Sequence, residues 1–357
     1  MIVRKYEEQD AEAISSFMKR CFLVNIKDQI RSHEPEYYIW KYRKNPWGRP
    51  GVFVAEDDSK IVGLFCVIPK PLKIGEKRLI IGETGDAYID PDYQGKGIFY
   101  RLVSLAFKEM SKQGITSYYT TANMVTMKIW TRLYGFKKIF EYRSIIAPVD
   151  FTTILKKAAR LGNLSYLISW KFSLYYKLFY SQPFTPDQSS WRMEIVSQPD
   201  SRLEDAWRLI SSECEFTIFK SREYFDYRFF NNPEKYNVYL LIDREAIAGY
   251  AVIKFTENFN IKCGHIVDLM LVKSSDENIR QAVGLSLGII KDSGAALASS
   301  WVIKKTKLDR GFKKYGFLTR SKSYHLLLGG DVLKMKDFDR MNDPENWSFM
   351  HGDSDNV

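Results

Sequence analysis

Glu83, Asp86 and the run Gln94-Gly95-Lys96-Gly97 are the places where this chain could do chemistry. The run follows a strand-like segment, Asp86 to Ile89, and precedes an amphipathic segment that reads as a helix to about Met110. A strand feeding a glycine loop at a helix N-terminus builds an anion site. Glycine lets the backbone approach, and unpaired N–H groups with the helix dipole face the ligand. Neither G-x-G-x-x-G nor G-x-x-x-x-G-K-[ST] is present, so the dinucleotide and nucleoside triphosphate loops are excluded. Glu83 and Asp86 are strand carboxylates able to act as a general base. They stand three positions apart, so strand alternation sets them on opposite faces.

The flanking elements give the loop a context. Ile2 to Asp10 reads as a strand leading into a helix, and Val52 to Ala55 with Ile61 to Ile68 as a hairpin. After the loop helix, Gly114 marks a stop, a strand runs to Asn123, and Met124 to Leu133 forms a short helix closed by Tyr134-Gly135-Phe136. With Gln94-x-x-Gly97-x-Phe99, this order over residues 1–145 resembles the GNAT superfamily of N-acyltransferases. Its pyrophosphate loop reads Q/R-x-x-G-x-G/A, and Phe99 replaces the last small residue.

The resemblance implies an α/β (α+β) fold, a mixed and mostly antiparallel sheet flanked by helices. It implies acyl-CoA, most plausibly acetyl-CoA, as co-substrate, and direct transfer to an amine without a metal. Tyr88 and Ile89 would pair with the pantetheine arm, and Gln94, Gly95, Lys96, Gly97, Ile98 and Phe99 would enclose the pyrophosphate. Asn123 would contact the CoA arm from the second strand. Glu83, eleven residues before Gln94, matches the glutamate that histone-type members use as base, with Asp86 as the other candidate. Where a tyrosine usually meets the leaving thiolate this chain has Trp130; Tyr134, one turn later on that helix face, is the substitute.

The chain also contains itself twice. Residues 36–46, EYYIWKYRKNP, align without a gap to 223–233, EYFDYRFFNNP. In the same order, Ile61-Val-Gly63 matches Ile247-Ala-Gly249, Gly82-x-x-x-Asp86 matches Gly264-x-x-x-Asp268, and Tyr134-Gly-Phe136 matches Tyr315-Gly-Phe317. The second copy has Lys273-Ser-Ser-Asp in place of the glycine loop, His265 in place of Glu83, and Ser300-Trp301 in place of Ala122-Asn123. Asp86 recurs as Asp268 where the phosphate loop is gone, so it reads as scaffold and Glu83 is preferred as base. The expected layout is an acyl-CoA-binding domain over 1–150, an aromatic helical connector and linker over 151–190, a degenerate copy over 191–336 and a polar, partly ordered tail over 337–357 in which Trp347 and Phe349 suggest one docking point. The second copy is expected to be structural or to help form the acceptor pocket.

Composition bounds the partners. The chain has 357 residues with a net charge of +10, which suits small polyanionic ligands such as CoA. No RNP strand, basic helix or zinc finger points to nucleic acid. Four scattered cysteines and four histidines without ligand spacing indicate free thiols in the cytoplasm and no metal site. No run is apolar for the ~18 residues of a membrane span. The aromatic stretch 164–180, with Lys171 and Lys177, can lie in a membrane interface or pack between the domains. The leading expectation is an N-acetyltransferase for a small amine, and an amino sugar would suit the basic balance and the aromatics. The alternative is a non-catalytic protein that senses CoA or a nucleotide; Phe99 and Trp130 are the residues that favour it.

Overall fold

A computed structural model describes residues 1–23, 33–158, 171, 190–258 and 260–355. The expected aromatic helix over 164–180 and the linker after it lie outside these, Lys171 and Ser190 excepted. The first copy supplies strands β1 (Ile2–Lys5), β2 (Gly51–Asp57), β3 (Lys60–Ile74), β4 (Lys77–Ile89), β5 (Ser117–Ala122) and β6 (Lys137–Pro148). Its helices are α1 (Ala11–Leu23), α2 (Pro35–Arg43), α3 (Ile98–Ser111) and α4 (Met124–Tyr134); α5 (Phe151–Ala158) follows β6. The second copy gives β7 (Trp191–Val196), α6 (Ser201–Ser211), β8 (Phe216–Ile218), α7 (Arg222–Phe225), β9 (Asn237–Asp243), β10 (Ala246–Asn258) and β11 (Ile261–Leu271). It ends with α8 (Asp276–Asp292), β12 (Leu297–Ile303), α9 (Lys307–Lys314) and β13 (Leu318–Gly330).

The strands join in one mixed sheet ordered β1-β2-β3-β4-β5-β13-β6-β12-β11-β10-β9-β7, with β8 added to β3. Read inward from either edge, the order is the same until the two copies meet at β13 and β6. Each copy has therefore placed its last strand in the other's half. β13 pairs with β5 of the first copy, and β6 pairs with β12 of the second. A boundary drawn between the copies in sequence does not divide the sheet in space.

Strands in the middle of such a sheet are covered on both faces and read as continuous apolar runs. β3 shows this: everything after Lys60 is buried. Leu64, Cys66 and Ile68 face one core, shared with α1, α2, α6 and α7, whereas Phe65 and Val67 face another beneath α3 and α4. α8 and α9 make the equivalent core over β10 and β11.

The tail docks at Trp347 and Phe349, with Met350 beside them, but it differs from the expectation beyond that point: residues 351–355 are buried between the two copies. A polar segment can be buried when its charges are paired and its amides bonded, and here both conditions hold. Tyr119 donates to Asp353 O at 2.9 Å, Tyr224 to Gly352 O at 2.9 Å, and Lys220 pairs with Asp353 at 2.8 Å.

Candidate active site

β4 and β5 run parallel but pair only at Gly82–Tyr118 and Glu83–Tyr119. Beyond that point they diverge, and Thr120 Oγ1 closes the apex with a 3.5 Å bond to Thr84 O. Tyr88 and Ile89 pair with β3 on one side, and their other edge borders the gap. At its open end lies the Gln94–Gly97 loop, which is exposed. Gly95 and Gly97 have φ of 76° and 71°, and Gly97 is the N-cap of α3. Any other L-residue would be strained in that left-handed region. The first N–H groups of α3 have no partner within the helix, and its first turn carries no acid. In the second copy, α8 starts with Asp276 and Glu277, which repel an anion at the same place.

The remaining loop residues divide between rim and core. Gln94 Nε2 donates to Ile89 O at 3.2 Å, and Lys96 sits 4.6 Å from the centroid of the Tyr93 ring. Ile98 is buried under α3. Phe99 also points inward, packing on Phe65, Trp130 and Tyr134 with centroids 5.9, 6.0 and 6.4 Å apart. Only the backbone of Phe99 is available to a phosphate. The two departures from the family pattern thus pack on each other: a ring at position 99 is received by the buried Trp130.

Tyr134 borders the same cluster, and among the described residues its buried hydroxyl has no hydrogen-bond partner. Burial pushes its pKa up to about 12. Asn123 caps α4: its carboxamide oxygen accepts from Val125 N and Thr126 N, both at 2.9 Å, which leaves its NH2 group for a ligand. Strand pairing sets Glu83 against Tyr119 and His265 against Ser299. Asn123 is therefore level with Ile303, which corrects its alignment with Trp301.

Glu83 and Asp86 do not point to opposite faces. β4 holds one extra residue against β3, since Leu64 pairs with Tyr88 but Cys66 with Gly85. Asp86 sits in this bulge with φ of 47°. The added residue cancels the alternation, so both carboxylates face Lys41. Asp86 accepts from Lys41 Nζ at 2.8 Å and from Tyr42 at 2.7 Å. Asp268 is held the same way, by Lys220 at 2.6 Å and Tyr250 at 2.9 Å.

Glu83 is 1% exposed. Its Oε1 accepts from Ser354 Oγ at 2.7 Å and from Asp355 N at 2.9 Å, and Lys70 Nζ lies 3.5 Å from Oε2. Burial raises the Glu83 pKa, and Lys70 opposes the shift. Its counterpart His265 bonds Thr256 and Ser299 at 2.7 and 2.6 Å, and burial drives its pKa down to about 3, so the ring is neutral. Lys70, Ser354 and Asp355 were not singled out from the sequence. The signal for Lys70 was available: it is the one charge in the run Cys66-Val-Ile-Pro-Lys-Pro-Leu72.

The second copy contains a cavity of about 810 Å³ where β11 and β12 diverge. Leu269, Leu271, Lys273, Thr306 and Lys307 line it, and Trp347 to Met350 of the tail form one wall. The same tail reaches Glu83 with Ser354 and Asp355. Among the described residues no cluster of three or more His, Cys, Asp or Glu could hold a metal, and no helix is long and apolar enough to cross a membrane.

The divergent parallel pair with a glycine loop at its mouth is matched by sequence. Residues 2–138 fit the model of the acetyltransferase (GNAT) domain. Those residues form a GNAT acetyltransferase domain. No curated protein matches this chain. Among solved structures it is similar to a GCN5-related N-acetyltransferase from Anabaena variabilis, with TM-score 0.60 and 14% identity over 92% of this chain and 72% of that one. A probable N-acyltransferase from Enterococcus faecalis has TM-score 0.58 and 12% identity, again over 92% and 72%. Saccharomyces cerevisiae N-myristoyltransferase with bound myristoyl-CoA has TM-score 0.66 and 10% identity, over 92% of this chain and 82% of its own. At these identities the likeness is one of fold, and it extends over both copies.

Proposed function

We propose that this enzyme transfers an acetyl group from acetyl-CoA to the amine of a small molecule, with an amino sugar as the favoured class. The observation that carries the reading is the contrast between the copies. Both have a divergent parallel strand pair, and only the first has left-handed glycines and an acid-free helix N-terminus at its mouth. The pyrophosphate lies on the backbone of Gln94 to Phe99, with Lys96 at the rim, and the pantetheine arm lies along Tyr88 and Ile89, met by Asn123.

Glu83 takes the ammonium proton through a water, because the tail covers its carboxylate. Its raised pKa makes it a stronger base than an ordinary carboxylate. Asp86 is the scaffold partner of Lys41, as Asp268 is of Lys220. The Tyr134 hydroxyl turns to the departing thiolate. With its pKa near 12 against roughly 8.5 for a thiol, it donates a hydrogen bond and keeps its proton. The amine approaches from the second copy, whose cavity shares the tail as a wall. The basic balance, +10 overall, suits an anionic conjugate of such a sugar, and a cytoplasmic setting accords with four free cysteines.

The test is a thermal-shift screen against CoA thioesters, followed by thiol release with amine and amino-sugar panels. A ligand of the native state raises the melting temperature according to its concentration over Kd. Stabilisation by acetyl-CoA and thiol release with an amino sugar are expected; an unmoved melting temperature with every thioester would sink the reading.

A further inference from the structure

We infer that Asp355 is a positioning residue for Glu83: by holding Lys70, it leaves the Glu83 carboxylate able to take up a proton. The inference rests on the reading of Glu83 as base. Lys70 is fully buried, 2.8 Å from Asp355 Oδ2 and 3.5 Å from Glu83 Oε2. One cation thus serves two carboxylates, and the nearer one belongs to the tail. A carboxylate beside an unshared cation loses basicity, and a second carboxylate on that cation restores it. Asp355 is also faced by Arg228, at 3.5 Å from Oδ1, and its own pKa is lowered against the cost of burial by Lys70, Arg228 and Lys41. It stays charged when Glu83 titrates.

The other groups facing Glu83 do not replace it. Lys41 of α2 is paired with Asp86 at 2.8 Å. From β3, β5 and β6, Cys66, Tyr119 and Tyr142 face the carboxylate, and burial raises the pKa of each well above its ordinary value, so they remain neutral. Ser354 Oγ and the Asp355 N–H hold Oε1 in place, and neither bond needs the Asp355 side chain. An Asp355→Asn change therefore removes the charge while the bonds to Glu83 persist.

The experiment is a titration of the whole enzyme labelled with [δ-13C]glutamate, the Glu83 resonance being the one lost in E83Q. D355N should lower the Glu83 midpoint by about one pH unit or more, a tenfold change in its proton affinity. K70M should raise it, and D355N/K70M should return it toward the wild-type value. Should D355N fail to fold, K70M alone decides, since a midpoint that does not rise overturns the inference. A D355N midpoint equal to wild type also overturns it. The base reading is tested separately: thiol release by E83Q at the wild-type rate removes Glu83 as base and leaves the titration to judge the electrostatic claim.

Discussion

Trp40 and Tyr227, equivalent positions of the two copies, stack on each other with centroids 4.6 Å apart and planes within 17°. The next residue in each copy, Lys41 or Arg228, turns to the tail. Lys41 Nζ reaches Asp355 O at 3.4 Å and Arg228 Nε reaches Gly352 O at 2.9 Å. The tail is thus gripped at the junction of the copies by two cations that descend from one repeat position. It brings Asp353 and Asp355 to a buried centre that already holds Lys41, Lys70, Lys220 and Arg228.

Deleting residues 351–357 should abolish cooperative folding or lower the melting temperature sharply. Breaking a buried pair costs roughly 3–5 kcal/mol because one charge is left uncompensated, and the deletion strips partners from Lys70, Lys220 and Arg228. A calorimetric scan checks this.

Glu83→Gln should reduce turnover by about 10²–10⁴, the usual contribution of a general base. CoA affinity, read by titration calorimetry, should hold, since Glu83 lies on the tail side of the sheet rather than at the glycine loop. In the wild type, turnover should fall on the acid side at a pH above the ordinary carboxylate range, because burial raises the Glu83 pKa.

Gly97→Asp should weaken CoA binding at least tenfold. The position has φ of 71°, and the new carboxylate would stand at the N-terminus of α3 where a phosphate is expected. An unaltered Kd for CoA would refute the loop assignment.

Tyr134→Phe removes a hydroxyl that is buried without a partner among the described residues. Stability should be unchanged or up by about 1 kcal/mol. Turnover should drop by roughly 10–100-fold, one hydrogen bond to the anionic thiolate being lost. Denaturant melts and thiol-release rates read the two effects.

Acid stability should carry the mark of His265. Its folded pKa is about 3 against an ordinary 6.5, so the unfolded chain binds the extra proton between those values. This stabilisation is complete above pH 6.5 and is lost as pH falls, by about 1.4 kcal/mol per unit for this group. His265→Gln should flatten that part of the stability–pH curve, measured by urea unfolding at pH 4 to 8.

Much of the first copy was legible in residues close together. The loop, its helix and the closing Tyr134-Gly135 turn depend on local backbone preferences, and they occur where the pattern placed them. The repeat gave the doubled architecture because buried anchors recur in order. Alternation failed at Glu83 and Asp86, since a bulge depends on the pairing with β3 and not on β4 alone. The burial of Asp353 and Asp355 was not legible in the tail, because their partners Lys220 and Lys70 lie more than a hundred residues away.

The sequence by itself determined the GNAT resemblance of the first copy, the glycine loop and the loss of those glycines in the second copy, because these rest on residue type and short spacing. The tertiary structure alone decided which carboxylates meet which cations, the exchange of β6 and β13 between halves, and the burial of Ser354 and Asp355 over Glu83. Those are contacts between distant segments, and a buried charge shows its meaning only beside its partner.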